Sequence, residues 1–294
     1  MKVNVVVVTY NRLDLLKQAL EKLCKQTYPI NHIIIVDNNS TDGTKEWLKT
    51  QNNSLYKVTY LEKNIGGAGG FYYGIKAAYE DKCDYIWIMD DDTFVTDTAL
   101  EKLMDGFKIL NKKKVGFLSS NVLFKDESPC LMNISNTHHE WTEFIDKKIV
   151  RLTHSSFVSM IIPSPVVKDV GLPIKNFFIW GDDGEYSTRI AAKYEGYFCG
   201  ESVVYHYMTE NKGVDIFDTP KERIPRFFYF YRNWMATHRS RWFISGVIFF
   251  NSTCITILRI LFTKNNNKLL KTFTILKGLF AGMFFRIKID YVED

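Results

Sequence analysis

The stretch "YIWIMDDDTF", Tyr85 to Phe94, joins an apolar run to three consecutive aspartates. Tyr85 to Met89 has the density of a strand buried on both faces. Each acid that follows has an ordinary pKa of about 4, so the strand ends in three adjacent negative charges. Taken alone, three acids in a loop are more often solvated than metal-bound. Clustered carboxylates also suit hard, oxygen-seeking cations such as Mg²⁺ or Mn²⁺. Alternation along the chain lets Asp90 and Asp92 turn toward one ion while Asp91 points elsewhere.

The sequence on either side alternates strands and helices. Val3 to Val8 is a β-branched run, and Leu16, Ala19, Leu20 and Leu23 then recur at helical spacing. Ile33 to Val36 is a second buried strand that breaks into "DNNSTDGT", where Asp42 can cap a short helix through Trp47 and Leu48. "YKVTYL" reads as a third strand, "GGAGGFYYGIKAAYE" as a glycine turn entering a helix, and "VGFLSS" as a strand after the helix marked by Leu100, Leu103, Met104 and Phe107. This alternation predicts an α/β fold with a mostly parallel sheet. Ligands of such sheets bind at the carboxyl ends of the strands. Those ends carry Thr9 to Arg12, Asp37 to Asn39, Asn64 to Gly70 and Asp90 to Asp92. Residues 124–151 are irregular and polar, which predicts hairpins or a mobile loop.

Composition narrows the class. The 294 residues are 46% apolar and 24% charged, as in a globular chain with one large domain or one domain and an appendage. The cysteines at 24, 83, 130, 199 and 254 contain no CxxC, which argues against a disulfide framework or a zinc-thiolate site and fits a reduced cytosol. "MKVNVVVVTYNR" is not expected to act as a signal peptide, because its apolar run is short.

Between Lys221 and Asp290 there are 13 basic and 2 acidic residues, against 25 and 31 in the remainder. A basic, aromatic-rich tail behind a mildly acidic body suggests contact with an anionic surface. Residues 242–262 are long enough to span a bilayer, but Asn251, Arg259 and several Ser and Thr interrupt them. Helices lying in the membrane interface fit this mixture better. No nucleic-acid recognition motif accompanies the charge. The chain is read as residues 1–220, a catalytic domain, and 221–294, a helical extension.

Three further segments carry chemistry. "NIGGAGGF" puts four glycines ahead of a helix, where backbone N–H groups can approach an anion; a tight structural turn explains it equally well. In "FIWGDDGEY", Asp182, Asp183 and Glu185 either complement a helix dipole or supply a general base. His206, between two tyrosines, is a structural histidine or a ligand type that suits Mn²⁺ better than Mg²⁺. His138, His139 and His154 lack partners at ligand spacing and read as structural or surface residues.

Together "VVVTYNR", "IIIVDNNSTDGT", "NIGGAGGF", "IMDDD", "WGDDGEY" and "YHY" resemble the family-2 glycosyltransferases with a GT-A fold. The resemblance covers residues 3–210. "NIGGAGGFYYG…YIWIMDDD" and the tail "YFYRN…KGLFAGM" are similar to the galactofuranosyltransferase and rhamnosyltransferase branch.

The resemblance implies roles for particular residues. Asp37 would meet the nucleobase, with Thr9, Asn11, Arg12 and Asn39 lining the nucleotide pocket. Asn64, Gly66, Gly67, Gly69 and Gly70 would pass near the donor sugar and diphosphate. Asp90 and Asp92 would hold the metal, Mn²⁺ or Mg²⁺, or the ribose, with His206 as a further metal ligand. Asp91 and Trp180 would join the substrate-binding set. Asp183 would be the base of an inverting single displacement, although Gly181 between Trp180 and the acid pair leaves Asp182 as the other choice. The implied donor is UDP-galactofuranose or dTDP-rhamnose, and the implied acceptor a glycan or polyprenyl-linked lipid. The implied location is cytoplasmic, peripheral on the inner face of the cell membrane, with self-association into a homo-oligomer open. A nucleotidyltransferase is the competing enzyme class; it would need a basic pyrophosphate-binding loop near the N-terminus, where only Arg12 and Lys17 are available. A non-catalytic nucleotide-sugar-binding protein is the competing binding class.

Overall fold

The computed structural model describes residues 1–293. The elements in chain order are β1 (Val3–Thr9), α1 (Leu13–Cys24), β2 (His32–Asp37), α2 (Thr44–Thr50), β3 (Tyr56–Tyr60), α3 (Gly66–Glu80), β4 (Tyr85–Asp90), β5 (Thr93–Val95), α4 (Ala99–Ile109) and β6 (Val115–Phe124). Then follow β7 (Asn136–Thr137), β8 (Ile149–His154), β9 (Met160–Pro163), α5 (Ser164–Val170), α6 (Asp182–Ala191), β10 (Glu195–His206), α7 (Phe227–Arg241), α8 (Phe243–Phe262) and α9 (Lys268–Phe284).

The strand order is β3-β2-β1-β4-β9-β6-β10-β8-β7, with β5 paired to β10. The strands β3, β2, β1 and β4 are parallel, so their carboxyl ends share one edge. Beyond β4 the sheet is mixed: β9 runs antiparallel between β4 and β6, and β6 and β10 are again parallel. Val3, Val5 and Val7 of β1 face a core with Leu16, Leu20, Leu100 and Trp87. Val6 and Val8 face the opposite core with Phe71, Ile75, Val167 and Tyr186. The period-2 alternation of an apolar run thus fills both layers, with α1 and α4 on one side and α3, α5 and α6 on the other.

Residues 124–151, expected as hairpins or a loop, hold short 3₁₀ turns and the β7–β8 pair. Asp42, expected to cap one helix, accepts from the backbone N–H groups of both Thr44 and Leu13 and so ties down the starts of α2 and α1.

The tail forms a helical layer with its own core of Phe227, Tyr231, Met235, Ile260, Ile275 and Leu279. Gly278 and Gly282, one turn apart on α9, let it approach the α7 backbone; a Cβ there would sit 2.8 Å from Phe228 O and 2.6 Å from Arg232 O. The chain then returns to the first body. Asp290 O accepts from Leu172 N, and its carboxylate takes Lys175 and Tyr72.

Candidate active site

The acid loop is built where β4 ends and β5 begins. Asp90 is the last residue of β4, and Thr93, the first of β5, pairs with His206 at the end of β10. That antiparallel register carries His206 to the aspartates over a separation of more than a hundred residues. Tyr207 N donates to Asp92 O at 2.8 Å and closes the corner. Ligand atoms of Asp90, Asp92 and His206 all lie within 4.8 Å of one another.

Asp91, in the turn between β4 and β5, points away from this trio. Its carboxylate accepts from Thr9 Oγ1 at 2.7 Å and from Arg12 Nη1 at 3.2 Å. Arg12 also pairs with Asp92 Oδ2 at 2.5 Å. Asp92 Oδ1 faces His206 Nε2 at 3.3 Å but has no hydrogen-bond partner, although it is buried. On its far side His206 Nδ1 lies 2.8 Å from Asn133 Oδ1. A donor set of two carboxylates and an imidazole, with one buried carboxylate oxygen that makes no hydrogen bond, fits a divalent cation.

Charge in the loop is held out of its ordinary state. Burial, and then the neighbouring Asp92, push Asp90 up to about 6. Burial pushes Asp91 up to about 7 against the pull of Arg12. Burial opposes the His206 imidazolium, but contact with Asp92 outweighs it and raises the ring to about 10. Asp92 lies below the usual range, because the His206 contact outweighs its own burial.

A second acid pair opens α6. Gly181, with φ of +84°, turns the chain so that Asp182 and Asp183 stand in the first helical turn. Burial raises both carboxyls; Asp183 and Asp90 add to the rise at Asp182, and His154 opposes it at Asp183. The two acid clusters therefore feel one another's charge. Asp182 is buried, whereas Asp183 keeps partial exposure.

Residues 4–118 match the family model described as Glycosyl transferase family 2. The chain carries a family-2 glycosyltransferase domain. Its edge, made by β1, β2 and β4, is where the acid loop stands. The sequence is 37% identical over 197 residues to galactofuranosyltransferase GlfT1 of Mycolicibacterium smegmatis, an alignment covering 63% of this chain and 64% of that relative. It is 30% identical over 132 residues to a poly-beta-1,6-N-acetyl-D-glucosamine synthase of Staphylococcus epidermidis, over 44% of this chain and 31% of that one. The chain thus spans less than two thirds of the length of these relatives. In fold it is similar to S. aureus TarS 1–349 in complex with UDP-GlcNAc, with TM-score 0.61, 17% identity, and coverage of 96% of this chain and 81% of that one.

Asp37, Asn11, Asn39 and Asn64 lie at or just beyond the carboxyl ends of β1, β2 and β3. Asp37 Oδ1 accepts from Ser40 N, and its buried Oδ2 has no partner. Asn11 and Asn39 take left-handed backbone, with φ of 53° and 64°, where the strands give way to turns. Asn11 Oδ1 accepts from Thr41 N and Asn64 Oδ1 from Gly66 N, so both side chains brace loops.

The glycines are part of α3 and do not form a turn ahead of it. A Cβ on Gly66 would collide with Phe178 O, on Gly69 with Ile65 and on Gly70 with Val8, whereas one on Gly67 meets nothing within 4 Å. Close packing accounts for three of them, and Gly67 alone faces open space. Trp180 packs its ring against Phe227 and Phe230 of α7. His154, read as structural or surface, stands beside the Asp183 turn: a Cβ on Gly184 would be 2.8 Å from its Nε2. Its position depends on β8 meeting α6, which local spacing does not announce. His138, half-buried, forms a separate group with the exposed His139 and Glu140.

Proposed function

We propose that this chain is an inverting, divalent-metal-dependent glycosyltransferase that moves a sugar from a nucleotide donor to a glycan or lipid-linked acceptor, with UDP-galactofuranose as donor. The observation that carries the reading is the convergence of Asp90, Asp92 and His206 at the edge of the parallel strands, within charge range of the Asp182–Asp183 pair. The galactofuranosyl choice is supported by the 37% identity to GlfT1. Neighbours in fold with UDP-GlcNAc, or with UDP, GalNAc and Mn²⁺, support a uridine nucleotide and a metal.

The unpartnered Oδ2 of Asp37 is a buried acceptor suited to an N–H of a nucleobase. Asp90, Asp92 and His206 would hold Mn²⁺ or Mg²⁺, which when bound neutralises the charge of a diphosphate leaving group. Asp183 is the better base of the pair, because it keeps partial exposure while Asp182 is buried. Its raised pKa favours taking a proton from an acceptor hydroxyl. That hydroxyl then attacks the anomeric carbon opposite the departing diphosphate, so no covalent intermediate is required. Positioning and charge complementarity supply most of the rate.

The same reading puts the protein on the inner face of the cell membrane. Residues 223–289 contain no Asp or Glu. Along α8 and α9, Ile248, Ile255, Phe262, Leu269, Phe273 and Phe280 are exposed. Exposed apolar residues on both helices of a basic pair are suited to an anionic lipid interface.

The donor is tested by incubating the full chain with Mn²⁺, an acceptor lipid extract and each of UDP-galactofuranose, dTDP-rhamnose and UDP-GlcNAc, reading nucleotide release. UDP release from UDP-galactofuranose alone supports the reading. Release of dTDP alone moves the assignment to rhamnosyl transfer.

A further inference from the structure

The chain just before the candidate base is held in an improbable backbone shape. Phe178 and Trp180 have φ of 65° and 63°, and Gly181 has φ of +84°. Left-handed backbone is rare for bulky aromatic residues and persists only where the surroundings enforce it. The enforcing groups come from α7, in the tail. Asn233 is fully buried, and its Nδ2 donates to Phe177 O at 2.9 Å, Ile179 O at 3.1 Å and Trp180 O at 2.7 Å. Arg232 Nη2 donates to Asn176 O at 2.8 Å and Phe177 O at 3.0 Å. Arg232 Nε donates to Asn233 Oδ1 at 2.9 Å, which fixes the carboxamide with its N–H groups toward the strap. The guanidinium lies over the rings of Tyr229 and Phe285, and the Tyr229 ring stacks on Phe178. On its other side the strap is held by Phe178 O, which accepts from Ala68 N of α3 at 3.1 Å.

We propose that Arg232 and Asn233 are positioning residues that lock the 176–181 strap, and through it the Asp182–Asp183 turn, so that α7 of the tail is a working part of the active site. The inference rests on the reading of that acid pair as the base. Neither residue touches the acid loop or the candidate metal ligands; their effect passes through the backbone they hold. A misplacement of about 1 Å at a reacting group can cost about 100-fold in rate.

The test uses the full chain with Asn233→Ala, Asn233→Leu, Arg232→Gln and Arg232→Lys. UDP binding by calorimetry reports the β1–β2–β4 edge, and hydrogen exchange of residues 179–185 reports the strap. In Asn233→Ala and Arg232→Gln the strap amides are expected to exchange at least about 10-fold faster, with UDP affinity within about 3-fold of the parent. The kcat for sugar transfer should fall at least about 10-fold while the donor KM holds, and Arg232→Lys should recover part of the loss. A packing role alone would be served by Asn233→Leu, which keeps the branched shape but donates nothing; the proposal requires it to fail like Asn233→Ala. If Asn233 variants lose UDP binding through misfolding, Arg232→Gln decides by the same readings. Parent exchange rates in the strap, or parent kcat, in Arg232→Gln overturn the proposal. If the unaltered protein transfers no sugar, the base reading fails, and the exchange data still decide whether the clamp exists.

Discussion

His206 Nε2 and Asp92 Oδ1 face each other at 3.3 Å, both buried, and each keeps the other charged. A cation at this site needs a neutral imidazole and ionised carboxylates. Asp90 binds a proton below about 6, and His206 holds one until about 10. Mn²⁺ affinity is therefore expected to be weakest below pH 6 and to climb through pH 9, as metal displaces a proton from His206. Calorimetry in buffers of different ionisation enthalpy checks both the trend and the proton release. A flat affinity from pH 6 to 9 contradicts it.

The two acids of α6 separate by substitution. Asp183→Asn is expected to lower kcat by about 10²–10⁴-fold, the usual worth of a general base, while UDP still binds. Asp182→Asn should bind UDP and keep more activity, since Asp182 is the more buried of the pair. Steady-state transfer rates with parallel UDP titrations read the difference, and a reversed order moves the base to Asp182.

Much of this site was legible in the sequence. The β-branched runs of β1 and β2 announced strands buried on both faces, and the acids after "YIWIM" fell at the carboxyl edge as expected. Asp91 turns from Asp90 and Asp92, as its place between them suggested, but Arg12 pairs with Asp91 and Asp92 alike. What was hidden depends on distant contacts. His154 reaches the Asp183 turn only because β8 meets α6. Asn233 meets carbonyls 53–56 residues away, and no local period encodes that. The glycines misled for a related reason: a glycine required by Phe178 O or Val8 reads the same as one required by a ligand.

Adjacent glycines should therefore respond oppositely. Gly66→Ala forces a Cβ against Phe178 O at a φ of +78°, and is expected to cost more than about 1 kcal/mol in urea unfolding. Gly67→Ala meets nothing within 4 Å and lies in α3, so stability should be unchanged or raised by up to about 1 kcal/mol. Weaker donor binding in Gly67→Ala, at full stability, would mark that position as the point of close approach.

The tail predicts a lipid preference. Sedimentation with vesicles should show binding to phosphatidylglycerol over phosphatidylcholine, weakening as salt rises. Replacing Lys264 and Lys268 with Gln should cost about 1 kcal/mol each near the surface. Equal partition to both lipids contradicts electrostatic docking, and salt-independent self-association in their absence would assign the apolar face to a second copy.

The central claim is metal-dependent transfer from a uridine nucleotide sugar. It is tested most directly by following UDP-galactofuranose and a lipid-linked acceptor by NMR, with and without Mn²⁺. The account predicts a new glycosidic linkage of inverted anomeric configuration, UDP released in step with it, and loss of both on chelation or in Asp183→Asn. Tight, metal-dependent UDP binding with no linkage formed from any nucleotide sugar would contradict it and leave a binding protein.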